Sequence, residues 1–161
     1  MSTPVREITM PADMARLAGL DPVDYSEAFT FATDAVRHPE NWARLILEGA
    51  PLAQRIQMRG IWTALGIRLA MPGTHGQVLG WRIGHNDPAA VVLGVRAAIG
   101  LTARIVVHAE PGRVTHAMVV RYDRGVGGRL WARLAPKHRA FLGGLLLRAS
   151  QPVAHSSRRR G

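Results

Sequence analysis

Residues 77–122 carry the pattern that most limits what this chain can fold into. Four strand-like runs, 77–85, 89–97, 101–109 and 114–122, follow one another with apolar residues alternating along each. Asn86-Asp87-Pro88 and Ala98-Ile99-Gly100 read as three-residue loops, and Glu110-Pro111-Gly112-Arg113 reads as a turn of four. Gly100 falls where a positive φ is favoured. These lengths set the register, and a slip of one residue would turn every side chain to the opposite face. The first loop pairs Ile83 with Val91, Trp81 with Leu93 and Leu79 with Val95. The second pairs Val95 with Ala103, Leu93 with Ile105 and Val91 with Val107. The turn then pairs Val107 with His116, Ile105 with Met118 and Ala103 with Val120.

All three connections agree on one partition. Leu79, Trp81, Ile83, Val91, Leu93, Val95, Leu101, Ala103, Ile105, Val107, His116, Met118, Val120 and Tyr122 share a face that is almost wholly apolar. Arg82, Arg96, Thr102, Arg104, His108, Thr115 and Arg121 share the other. The expectation is an antiparallel meander with one buried and one solvated face.

The flanking segments change period. Tyr25–Ala32 sets Tyr25, Glu27, Phe29 and Phe31 against small residues, a strand pattern. Trp42, Leu45 and Ile46 recur at helical spacing after Pro39 and Glu40, with Gly49 as a stop. A second helix is expected over Leu52–Leu65, with Ile56, Ile61, Trp62 and Leu65 as its apolar side, and Met71-Pro72-Gly73-Thr74 breaks the chain after it. Beyond Tyr122 a glycine-rich turn, Asp123–Gly128, leads into a long helix whose apolar side is Leu130, Trp131, Leu134, His138, Phe141, Leu142, Leu145 and Leu146. Pro136 is expected to kink this helix or divide it after Leu134. Residues 1–23 read as a lead-in with a helical turn around Asp13–Leu20, residues 24–150 as the domain, and residues 151–161 as a disordered basic tail.

Composition narrows the chemistry. A chain of 161 residues that is 47% hydrophobic is long enough for one sizeable core. The absence of cysteine excludes disulfides, thiolate metal sites and a thiol nucleophile. No apolar run approaches the ~18 residues of a membrane span, and the N-terminal segment has no signal-peptide core, so a cytoplasmic location is expected. The net charge is +10, and all the basic residues but Lys137 are arginines. Three of them, Arg158–Arg160, sit in the tail, and the rest are spread along the chain rather than gathered on one helix, which argues against a dedicated nucleic-acid binder.

An order of one strand, two short helices, an antiparallel meander and a C-terminal helix resembles the START-like (SRPBCC, or helix-grip) superfamily over about Asp24–Ser150. Val78-Leu79-Gly80-Trp81-Arg82-Ile83, Val119-Val120-Arg121-Tyr122, Leu130-Trp131 and Pro136-x-His138-Arg139 make the chain similar, more narrowly, to a group of bacterial members. The resemblance implies an α+β fold in which a curved antiparallel sheet wraps a long C-terminal helix around a cavity. In relatives that cavity takes lipids, sterols, polyketides or other apolar molecules, and some relatives are cyclases or dehydratases. Five strands are read here, six if Ile67–Met71 is extended, against the seven common in the superfamily.

The expected function is therefore binding of a small apolar ligand in a pocket formed by Trp81, Leu93, Ile105, His116, Met118, Tyr122, Trp131 and His138, with Trp62 as a further wall. Residues of these types at such positions are more often ordinary core. His116 is the clearly polar residue on the apolar face, and His138 meets the same core from the helix, so a cyclase- or dehydratase-like enzyme using either imidazole is the alternative. A third possibility is a basic module that meets an anionic partner through Arg82, Arg96, Arg104 and Arg121. The histidines lack metal-ligand spacing, and Arg124–Arg129 has neither a Gly-Lys-Ser/Thr nor a dinucleotide fingerprint, so neither a metal nor another cofactor is expected.

Overall fold

In a computed structural model, residues 5–152 are described; the tail arginines Arg158–Arg160 lie outside them. The elements run β1 (Arg6–Ile8), α1 (Ala12–Ala18), β2 (Tyr25–Ala32), α2 (Pro39–Leu47), α3 (Leu52–Ala64), β3 (Gln77–Val78), β4 (Trp81–Asn86), β5 (Ala90–Ala97), β6 (Leu101–Glu110), β7 (Arg113–Tyr122) and α4 (Gly125–Ser150). The seven strands form one curved antiparallel sheet in the order β1-β2-β7-β6-β5-β4-β3. The architecture is α+β, with the long C-terminal helix on the concave side of the sheet.

The central registers are those expected. Leu93 pairs with Ile105, Ile105 with Met118, and Val107 with His116. β4 differs. Ile83 pairs with Leu93, not Val91, and the ladder shifts between Ile83 and His85, where Gly84 is the extra residue of a β-bulge. The loop is Asp87-Pro88-Ala89, held by Asp87 Oδ1, which accepts from the Ala89 and Ala90 amides at 2.7 and 2.9 Å. With Asn86 opposite Val91, that connection alone would set Ile83 opposite Gly94 and turn Trp81 and Ile83 outward; the added residue turns them back to the core.

The run 77–85 is not one strand. Leu79 and Gly80 form a two-residue turn with φ of 48° and 93°, the positive pair that a type I′ hairpin requires. A leucine costs about 1 kcal/mol there. Side chains offset this: Glu48 Oε1 accepts from the Leu79 amide at 3.1 Å and Gln77 Oε1 from the Gly80 amide at 2.7 Å. Leu79 is thus a turn residue, and its expected pairing with Val95 is absent. Ile67–Met71 is not a strand either; Ile67 makes one isolated bridge to Ala97. The two further strands are β1, at one edge beside β2, and β3, at the other.

The outer face is also not wholly wet. Val92, Val106, Ala117 and Val119 point outward and are buried beneath Met14, Ala18 and Leu20, so α1 and its flank form a second small core within the expected lead-in. The glycine-rich turn expected at 123–128 becomes the first turn of α4. A Cβ on Gly127 would lie 2.6 Å from the Gly100 carbonyl oxygen, and one on Gly128 would lie 2.6 Å from the Tyr122 ring. These glycines permit close packing rather than flexibility. α4 runs undivided through Pro136 to Ser150.

The main core lies between the concave face, α2 and α4. α2 starts with Pro39 in its first turn and with His38 Nδ1 accepting from the Glu40 amide at 3.2 Å. Arg148 of α4 donates to the Leu45 and Ile46 carbonyls at 2.8 and 3.2 Å and ties the two helices together.

Candidate functional site

Tyr25, Glu27, Phe29 and Phe31 point inward, because β2 pairs Tyr25 with Val120, Glu27 with Met118 and Phe29 with His116. The alternation therefore drives a carboxylate into an apolar core, and the Glu27 side chain is fully buried. An uncompensated carboxylate there would be very costly. Tyr25 donates its hydroxyl proton to Glu27 Oε2 at 2.7 Å. From α4, His138 Nδ1 stands 3.0 Å from Oε1, and Arg139 Nε stands 3.9 Å from Oε2. The His138 contact is close but off the line of a hydrogen bond, so both atoms lack a directed partner. Arg139 also pairs with Glu7 of β1, joining α4 to the edge of the sheet.

Aromatic rings enclose this cluster. Tyr25 meets Trp131 edge-on with centroids 5.4 Å apart, and Trp131 meets His138 at 5.0 Å. Burial, the Glu27 hydrogen bond and the nearby negative charge together hold the Tyr25 hydroxyl well above the usual phenol range, so it stays protonated and donating.

Beside the cluster lies a cavity of about 50 Å³ walled almost entirely by carbon. It sits where the sheet carries Ala97 and Ala103; one row further on, Leu93 and Ile105 fill the same space. Of the residues proposed from sequence, Trp81, Met118, Trp131 and His138 are in its wall. Leu93, Ile105, His116 and Tyr122 belong to the surrounding core but do not line it. Trp62 and Leu65, from α3 and its end, close the mouth. On three of the residues that line it, the ring nitrogens Trp81 Nε1, Trp131 Nε1 and His138 Nδ1 are buried without a hydrogen-bond partner.

His116 is separate from this cavity. It is 2% exposed, and neither ring nitrogen has a partner. Desolvation pushes its pKa down to about 4; the Glu27 charge opposes that fall, and His138 adds to it. It is a neutral imidazole at pH 7. Of the two candidate imidazoles, only His138 both meets the cavity and has a carboxylate to orient it. Glu27 carried no functional expectation, although the alternation of Tyr25–Ala32 already placed it among aromatic residues on one face.

Among the described residues no three His, Asp or Glu side chains gather to hold a metal ion, and no helix is long and apolar enough to cross a membrane.

No family model matches the chain, and no curated protein matches it. Among solved structures, an Arthrobacter aurescens protein determined by solution NMR is similar over 88% of this chain and 98% of its own, at 13% identity and a TM-score of 0.42. A Rhizobium loti protein determined by crystallography is similar over 78% and 93%, at 16% identity and a TM-score of 0.35.

Proposed function

We propose that this chain is a START-like protein that binds a small apolar ligand bearing one oxygen acceptor in the cavity between the sheet and α4. The observation that carries the reading is a partly open, carbon-walled space whose wall residues Trp81, Trp131 and His138 hold unpartnered ring nitrogens. A ligand carbonyl or hydroxyl satisfies what the protein leaves unpaired. Size limits the occupant. A cavity of about 50 Å³ takes a few heavy atoms, whereas benzene fits an engineered cavity of ~150 Å³. A lipid- or polyketide-sized ligand therefore requires α3 to move off the mouth.

The test uses acetone and cyclohexanone as probes, read by tryptophan fluorescence of the full chain. Acetone binds the closed form, and cyclohexanone binds only as α3 gives way, with slower onset. Ala103→Leu fills the space and abolishes both signals while the thermal transition stays cooperative. Equal binding by Ala103→Leu, or no response of the native chain to either ketone, overturns the reading.

The contact between Glu27 and His138 favours a second reading: acid–base catalysis on the bound ligand, with His138 moving a proton and Glu27 orienting it. Turnover that survives His138→Gln excludes it.

A further inference from the structure

The outer face of the sheet holds a second concavity, whose lining shares only Val95 and Ala97 with that of the inner cavity. It is an open groove of about 790 Å³ whose wall carries five arginines, Arg68, Arg82, Arg96, Arg104 and Arg121, and no acidic residue. We propose that this groove binds a small polyanion carrying two or more phosphate groups.

The ladder explains how the arginines come together. Arg82 of β4, Gly94 of β5 and Arg104 of β6 form one row across the sheet. Arg96 of β5, Thr102 of β6 and Arg121 of β7 form the next. In each row two arginines flank a small residue and stand two strands apart, about 10 Å between Cα atoms, while the rows are separated by about 7 Å along the strands. Gly94 leaves the floor open, and a Cβ there would lie 3.6 Å from the Arg104 side chain, which crosses above it. Arg104 is fixed in turn by donating to the Ala18 carbonyl at the end of α1 at 2.8 Å.

Charge points to an anion. All 11 acidic residues of the chain lie among the described residues, and none comes within 4.0 Å of a basic nitrogen of Arg68, Arg82, Arg96 or Arg104. Only Arg121 is paired, with Asp123 at 2.8 Å. Like charges gathered in a concave wall repel one another, and guanidinium forks match phosphate oxygens two at a time. Each row suits one phosphate group, with Arg68 at the rim.

Shape separates the possible partners. The volume is that of a small-molecule site. No Phe, Tyr or Trp lines the groove, so it lacks the large aromatic faces on which proteins stack successive bases of single-stranded nucleic acid.

Tripolyphosphate is the probe, titrated calorimetrically against the full chain in which Arg158, Arg159 and Arg160 are all changed to Ala. Tripolyphosphate binds with one-to-one stoichiometry, and inorganic phosphate binds at least tenfold more weakly. The pair Arg82→Gln and Arg96→Gln, both exposed and without carboxylate partners, lowers tripolyphosphate affinity at least thirtyfold. The charge-matched pair Arg129→Gln and Arg133→Gln, on α4, changes it less than threefold. Equal losses in the two pairs would reduce the effect to net charge and overturn the proposal. So would equal affinity for phosphate and tripolyphosphate, or an oligothymidylate that displaces tripolyphosphate at matched phosphate concentration.

Discussion

α2 and α3 follow one another in the chain and both border the concave face, yet they are held differently. α2 buries Pro39, Trp42, Ala43, Ile46 and Leu47, has a side-chain cap, and carries Arg44 between Glu40 and Glu48 at 3.0 Å from each. α3 has no side-chain cap, and Met58 is the residue it fully buries. Its Leu52, Ile56 and Ile61 are 63%, 63% and 47% exposed, although Ile56 and Ile61 were expected on the core side. The sheet beneath follows suit, filled by large residues near α2 and thinned to Ala97 and Ala103 near α3. Packing is dense at the α2 end and thin at the α3 end.

The largest effect should therefore fall under α2. Trp42 is 2% exposed, meets Phe31 edge-on at 5.6 Å and lies beneath the Arg37 guanidinium at 5.2 Å. Trp42→Ala should cost about 3–5 kcal/mol in denaturant unfolding, enough to unfold a marginal domain. A loss below ~1 kcal/mol would mean that α2 is no more anchored than α3.

Acid should act next, through His116. Its folded pKa of about 4 lies below the unfolded value of 6.5, so the folded state resists a proton that the unfolded chain accepts. The stability held above pH 6.5 is lost as pH falls toward 4, by about 3 kcal/mol in all. Glu27 and His138 are the titratable groups that face His116, the first opposing its downward shift and the second adding to it. His116→Leu should flatten the profile over that window and, by removing a buried unpaired N–H, leave stability at pH 7 equal or higher. An unchanged slope in the variant would assign the acid sensitivity elsewhere.

What was legible in the chain follows from what is local. Two short connections sufficed for the β5–β6–β7 register, because each loop length was bounded by a turn glycine, Gly100 and Gly112. The β3–β4 turn was not legible, since its first residue is Leu79, whose positive φ is held by Glu48, 31 residues away. Outward-facing Val92, Val106, Ala117 and Val119 were a visible sign of a second covered face, and Glu27 of a buried carboxylate. Neither outweighs the majority of an alternating strand, which is what decides the face it is expected to bury. The orientation of α3 was out of reach: Ile56 and Ile61 have helical spacing to suit a core, but the core offers that helix only the room around Met58 and Trp62.

Met58→Ala should then cost about 2 kcal/mol, the low end for a buried methionine, because a helix with little else to hold it can settle into the gap. Its amides should exchange with solvent faster than those of α2, and faster still in this variant.

The smallest effect is the most discriminating. Leu52→Gln with Ile56→Gln removes two apolar side chains that touch mainly water, so stability should change by no more than about 0.5 kcal/mol. Had the periodicity of this helix described its packing, Ile56→Gln alone would cost several times that. A large measured loss would place Ile56 in the core and α3 rolled about its axis, which would bring its apolar stripe over the mouth and seal it. A near-zero change keeps Trp62 and Leu65 as the only apolar contacts from this segment that line the cavity, so that ligand entry is opposed by little more than Met58 and two side chains.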